Sequence, residues 1–263
     1  MKKIIIICST NQSELGSGII QELNPNYKIL GVLVRNNFTF ASIRREIKFE
    51  RKKFLNKIYK KFITQFIPFI ESKSGFQDYF YQKNIKFSSI QKLCSEKSID
   101  FLNFNKLNDK SINNFMKTNK PDLAIFAGGG IVPISFLEQV DVLNCHMGIL
   151  PEYRGMNSWI WALLKKDPKN IGLTTHIMDQ GIDTGPIIKR HRINIFDMQT
   201  KDEIIKALEK EMIPVILSSV DKYFLEDGRN NLEIQKIFEG NQYFVPHELL
   251  EKEAENILKN LKR

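Results

Sequence analysis

Asn144 and His146 stand two residues apart, so on an extended strand both side chains point to one face and Cys145 to the other. A carboxylate, Asp183, follows in the glycine-rich turn Gly181-Ile182-Asp183-Thr184-Gly185. An amide, an imidazole and a carboxylate on neighbouring loops are the groups acyl transfer needs. One donates to the oxygen that gains charge, and the others hold and move a proton. A lone histidine at a strand end is more often a hydrogen-bonded structural group than a catalyst. Asn144, Asp183 and the glycine run 128–130 shift that balance. The three cysteines (Cys8, Cys94, Cys145) have no metal-ligand spacing, so no metal site is expected.

The elements that must position these groups are read from periodicity. Residues 3–8, with four isoleucines, form an apolar run suited to a strand buried on both faces. Ser9, Thr10 and Asn11 are N-cap types ahead of a helix reaching about Leu23. Gly16 and Gly18 fall inside that helix and make a poor dinucleotide fingerprint, so NAD binding is rejected. Residues 27–35 read as a second strand, giving a right-handed βαβ unit. Helices follow over 90–98, 111–120 and 133–140, with strands over 99–104, after Pro121-Asp122, and over 142–146. Gly128, Gly129 and Gly130 end the strand before the last of these, where backbone can approach a ligand closely. A loop with Leu150, Pro151, Tyr153, Arg154 and Gly155 precedes a helical stretch and a strand over 173–177. Residues 196–199 are expected to close the sheet region. A long helix to Leu225 follows, capped by Thr200, with Glu203 in its first turn, Ile204, Leu208, Met212, Val215 and Val220 as its apolar stripe, and Pro214 as a kink. The runs 232–238 and 242–245 around Gly240-Asn241 predict a β-hairpin, and 248–263 a charged helix.

The chain has 263 residues, 42% of them hydrophobic, enough for one large α/β domain with a small appendage. An odd cysteine count argues against a disulfide framework and fits a reducing cytoplasm. The apolar run near the start is too short for a secretory segment, and no run reaches the roughly 18 residues of a membrane span. The net charge of +9 is concentrated in 44–61, where nine basic residues face only Glu46 and Glu50. Ile43, Ile47, Phe54, Ile58, Phe62 and Phe66 recur at helical spacing, which predicts a basic amphipathic helical insert over about 41–70. A solvated cationic face is the commoner outcome of such a run. The sharper one is contact with an anionic membrane or phosphate-bearing partner through 44–61. Aromatic groups are not interleaved on the basic face, so nucleic acid is not expected.

The stretch 144–188 resembles the active-site signature of the N10-formyltetrahydrofolate-dependent formyltransferases. It has the Asn-x-His strand end, a Leu-Pro-x-Tyr-Arg-Gly-like loop and an Asp-x-x-x-Asp-Thr-Gly-Pro segment, and the likeness is strongest over 120–190. The resemblance implies an α/β fold with a Rossmann-like, mostly parallel sheet flanked by helices. It divides the chain into a catalytic domain over 1–199 and a small C-terminal helix plus β-hairpin extension over 200–263. Asn144, His146 and Asp183 become the catalytic trio. Gly129 and Gly130 border the folate, and Ile131, Val132 and Pro133 line the pterin pocket. Asp179, with Gly181, shapes the turn or contacts the folate. Ser9, Thr10, Asn11, Met147, Gly148, Tyr153 and Arg154 fall on the acceptor side, Arg154 either binding phosphate or carboxylate or only pinning its loop. His176 is near the site or structural. Gly148 departs from the pattern, because many members carry Ser there and this chain lacks that hydroxyl.

Family members differ in acceptor. The methionyl-tRNA enzyme adds a sizeable C-terminal β domain, whereas about 60 residues follow Gln199 here. The formyltetrahydrofolate hydrolase carries an N-terminal regulatory domain, whereas the first strand here starts at residue 3. The glycinamide ribonucleotide enzyme has a glycine-rich phosphate loop after strand one, whereas Ser9-Thr10-Asn11-Gln12 stands here. What remains resembles the sugar N-formyltransferases, which act on nucleotide-linked amino sugars in bacterial lipopolysaccharide or capsule synthesis; in that group such C-terminal additions often help form a dimer, so a homodimer and a cytoplasmic location are the matching expectations. The expected cosubstrate is N10-formyltetrahydrofolate, without a metal. Alternatives are a phosphoribosylglycinamide or other amine formyltransferase, a catalytically silent ligand-binding homologue, or a polyanion-binding protein acting through 44–61.

Overall fold

Ile4, Ile5, Ile6 and Ile7 have no exposed surface, and their side chains alternate between two apolar cores. This is what a strand covered by helices on both faces requires. The computed structural model describes residues 1–36, 74–128, 130–236 and 238–261. Gly129 and the basic helix expected over 41–70, with its surface contact through 44–61, lie outside the described residues.

Strands β1 (Lys2–Cys8), β2 (Tyr27–Arg35), β3 (Asp100–Phe104), β4 (Leu123–Ala127), β5 (Val142–His146), β7 (Gly172–Ile177) and β8 (Ile187–Arg192) form one sheet in the order β3-β2-β1-β4-β5-β7-β8. The first five are parallel; β7 runs antiparallel to β5, and β8 antiparallel to β7. The expected mostly parallel α/β sheet is therefore present. Its strand order reverses between β1 and β4, which opens a crevice at the carboxyl ends of the central strands.

Helices α1 (Glu14–Glu22), α3 (Ile90–Lys97) and α7 (Lys201–Leu225) bury apolar residues with Ile4 and Ile6 on one face. Helices α4 (Lys110–Asn119) and α5 (Ile134–Leu137) cover Ile5 and Ile7 on the other. Helix α2 (Gly75–Lys83) lies against α7 through Phe80 and Ile213. The stripe Ile204, Leu208, Met212, Val215 and Val220 of α7 is buried as its spacing predicts. Thr200 Oγ1 accepts from Glu203 N at 3.3 Å, and Glu203 Oε2 accepts from Gln199 N, one residue before the cap, at 2.6 Å, so the two side chains together close the start of α7. Pro214 lies within α7 without dividing it.

Four local expectations are corrected. The cap of α1 is Ser13, whose hydroxyl accepts from Gly16 N at 3.1 Å, rather than Ser9, Thr10 or Asn11. The helix expected over 133–140 is the single turn of α5. The sheet closes on β8, while residues 196–197 form a turn. The C-terminal hairpin does not form among the described residues. Instead β9 (Asn241–Tyr243) pairs in parallel with β6 (Tyr153–Gly155), and Glu233 makes one bridge to Ile187. That pairing depends on two glycines. A Cβ on Gly155, at φ +94°, would collide with the Tyr243 carbonyl oxygen, and one on Gly240 would meet the Pro151 carbonyl. Tyr243 stacks on Tyr153 and Trp161 with centroids 5.6 and 5.1 Å apart. Helix α6 (Ser158–Leu164) packs beneath α8 (Glu248–Asn260).

Candidate active site

The β5–β7 ladder sets Asn144 directly opposite His176, so their side chains emerge side by side, with His146 two residues further along the same face. The Asn144 amide nitrogen lies 3.1 Å from His176 Nε2. The loop after β7 folds back over this face. Asp179 builds it, its Oδ1 accepting from Gly181 N at 3.0 Å and from the Thr184 hydroxyl at 2.7 Å. This turn holds Asp183 at φ +54° and aims its carboxylate between two imidazoles. Oδ2 is 3.4 Å from His146 Nδ1, and Oδ1 is 3.4 Å from His176 Nε2. Gly155 N donates to Asp183 Oδ2 at 2.8 Å, so the β6 loop is tied to the same carboxylate.

His146 is almost fully buried, and its far nitrogen is engaged as well. Nε2 lies 2.8 Å from the Tyr153 carbonyl oxygen and 3.0 Å from Ser158 Oγ. Burial pushes the His146 imidazole below its ordinary pKa, outweighing the opposite pull of Asp183 and the Tyr153 carbonyl, so the ring is neutral near pH 7. Burial alone would raise Asp183. Its hydrogen bond with His176, electrostatic interaction with the His146 and His176 rings, and the Gly155 N–H together win, bringing it down to about 2. The site thus holds a firm anion beside a neutral base. Burial pushes the Cys145 thiol up, which removes it as a nucleophile.

Beside this cluster, at the carboxyl ends of β1, β4 and β5, is a cavity of about 1100 Å³. Its walls include Ser9, Thr10, Gly128, Asn144, Met147 and Phe76. Asn144 is the member of the expected trio on this wall; His146 sits behind it. Of the expected acceptor residues, Ser9, Thr10 and Met147 therefore reach the cavity. Asn11 turns to α3, where its Oδ1 accepts from Gln91 N at 2.8 Å. Gly148 is buried behind His146, Tyr153 is buried against Tyr243, and Arg154 is buried in the β6–β9 ladder, which fits loop pinning.

Around the glycine loop, Gly128 and Gly130 adopt φ of +90° and +92°, and a Cβ on Gly130 would lie 2.5 Å from Arg35 Nη1. Ile131 is fully presented to solvent, Val132 packs into the core, and Pro133 leads into α5. Ile182, beside Asp183, is also exposed. Two residues were missed from sequence. Ser158, fully buried, supplies a hydroxyl to the His146 ring. Gln235 Nε2 donates to the Asp183 and Gly185 carbonyls at 3.0 and 2.6 Å. No local pattern marks either one, since both act across long separations. Among the described residues no group of three or more His, Cys, Asp or Glu is placed to hold a metal ion, and no helix is long and apolar enough to cross a membrane.

A family model described as formyl transferase matches residues 54–220, more than half of the chain. The chain belongs to the formyl transferase family. It is 31% identical over 135 residues to the methionyl-tRNA formyltransferase of Sulfurovum sp. (strain NBC37-1), covering 51% of this chain and 44% of that protein. The chain thus spans less than half the length of the curated relatives it matches. Among solved structures, glycinamide ribonucleotide transformylase 1 from Symbiobacterium toebii aligns with a TM-score of 0.54 at 17% identity, covering 90% of this chain and 95% of that one. A sugar N-formyltransferase from Shewanella sp FDAARGOS_354 aligns with a TM-score of 0.50 at 16% identity, covering 98% and 88%. At these identities the likeness is one of fold.

Proposed function

We propose that this protein transfers a formyl group from N10-formyltetrahydrofolate to the amino group of a nucleotide-linked amino sugar, and that Asn144, His146 and Asp183, with His176, carry the reaction. One observation supports this above the others: a single carboxylate lies between two imidazoles, one of which touches the amide on the cavity wall. An amide has two N–H donors. The amide nitrogen lies beside His176 Nε2 on the cavity wall, and an N–H of this amide serves the oxygen that gains charge as an amine adds to a formyl carbon. The neutral His146 and the Asp183 carboxylate take up the proton the amine sheds, and they return it to the departing nitrogen as the carbon–nitrogen bond of the donor breaks. The donor supplies an activated formyl carbonyl. The positive-φ glycines at 128 and 130 and the exposed Ile131, Ile134 and Ile182 support a cradle for its ring system, with the turn at Asp179 and Gly181 behind it.

The cavity's size and its mix of hydroxyls with Phe76 and Met147 support a multi-ring acceptor such as a nucleotide-linked sugar in surface-glycan synthesis. Exposed Phe244, Val245 and Leu249 on the C-terminal extension support a homodimer. A second reading has a specific observation in its favour: the sequence match to methionyl-tRNA formyltransferases makes a charged tRNA an acceptor to test. The experiment is to incubate the protein with N10-formyltetrahydrofolate and, separately, nucleotide-linked amino sugars, glycinamide ribonucleotide and methionyl-tRNA. Mass spectrometry reads the gain of one formyl group. Gain on an amino sugar is expected; gain confined to either other acceptor replaces this assignment, and no gain on any amine overturns formyl transfer.

A further inference from the structure

Ser158 is the first residue of α6, on a different element from Asn144, His146 and Asp183, yet its side chain reaches the centre of the cluster. Its hydroxyl lies 3.1 Å from the Gly155 carbonyl oxygen, to which it donates, and 3.0 Å from His146 Nε2. A hydroxyl has one proton. Once that proton is given to Gly155, only a lone pair faces the imidazole. The Tyr153 carbonyl, 2.8 Å from the same nitrogen, can only accept. Both neighbours of Nε2 are therefore acceptors, and Nε2 must carry the hydrogen.

We propose that Ser158 is a positioning residue which, with the Tyr153 carbonyl, holds His146 as the Nε2–H tautomer and so turns the Nδ1 lone pair toward Asp183. Nδ1 is then the nitrogen left open to a proton, which reaches it by way of the Asp183 carboxylate it faces. At 3.4 Å from Asp183 Oδ2 it has no strong partner while neutral, and it gains a charge-assisted one on protonation. The other titratable group facing this arrangement is His176, which meets Asp183 from the β7 side. Gly148 belongs to the same device. A Cβ there would lie 2.6 Å from His146 Nε2 and 2.8 Å from both Ser158 Cβ and the Tyr153 carbonyl, so a side chain at 148 displaces the ring from this lock.

The part of this inference that concerns the reaction rests on the proposed function; the tautomer does not. The test is nitrogen NMR of the histidine rings in the full chain without any substrate, on the wild type, Ser158→Ala and Gly148→Ala. The wild type is expected to show His146 Nε2 protonated and Nδ1 bare, with slow exchange of the ring proton. Both variants are expected to speed that exchange or mix the tautomers. Should Ser158→Ala not fold, Gly148→Ala, which keeps the hydroxyl, still perturbs the ring. With an active acceptor in hand, Ser158→Ala should lower kcat about tenfold at unchanged KM, the loss expected from one hydrogen bond. A wild-type ring protonated on Nδ1 overturns the proposal, as does a folded Ser158→Ala protein with unchanged ring exchange. A protonated Nε2 in a protein that formylates nothing leaves the lock standing and removes the reaction.

Discussion

Asp183 is the residue through which the site is wired, since it meets His146, His176 and the Gly155 amide with its two oxygens. Asp183→Asn keeps the shape and removes the charge. It should lower kcat by about 10²–10⁴, the range for a positioned acid–base group. It should also lower the His146 pKa further, because the carboxylate is what opposes burial there. The pH dependence follows from the same balance. His146 acts as a base when neutral, and its pKa lies below the ordinary value of about 6.5, so the acid limb of kcat/KM should fall below pH ~6.5. A limb above that value would contradict the account. Much of this was legible from sequence, since a two-residue spacing on a strand fixes a shared face for Asn144 and His146. The partnership of Asn144 with His176 was not, because it depends on the register between antiparallel strands, and β7 was expected only as a strand of unknown neighbour.

At the scale of elements, the C-terminal segment acts on the loops that carry Asp183 and Tyr153. Gln235 holds the Asp183 loop through two carbonyls, and β9 holds β6, which carries the Tyr153 carbonyl and the Gly155 amide. Gln235→Ala should cost about 1–3 kcal/mol in urea unfolding, from the buried Gly185 carbonyl and the part-buried Asp183 carbonyl losing their donor. It should also reduce kcat more than it changes KM. Thr200→Ala, at the cap of α7, should cost about 1 kcal/mol with kcat unchanged, because the cap touches no site residue. Equal effects of the two on kcat would sink the distinction. The Gly240-Asn241 signal for a hairpin was a fair local reading that long-range packing overrode. Tyr243 finds two aromatic neighbours and backbone partners on β6, which a three-residue strand gains more from than from a local return. Helix α7, by contrast, was legible in full, because its stripe and its Thr200 cap agree.

For the molecule as a whole, the sheet's two-faced burial supplies stability and the site contributes a pH-dependent part of it. Asp183 is depressed from about 3.8 to about 2 on folding, so its contribution is present above pH ~3.8 and is lost as pH falls toward 2. His146 is depressed too, so the unfolded chain takes its proton first and stability declines as pH drops below ~6.5. Urea midpoints should therefore fall from pH 7 to pH 3, and His146→Gln should remove the part of that slope near pH 6. A flat profile over this range would mean that neither group is held as described. The central claim is that amide, imidazoles and carboxylate work as one unit in formyl transfer. Its most direct measurement is single-turnover formylation of the accepted amine by the wild type, Asn144→Ala, Asp183→Ala and the double variant. Each single change should cost about 10²–10³, and the double variant little more than the worse single one. Turnover within a few-fold of wild type in Asp183→Ala, or losses that simply multiply, would contradict it.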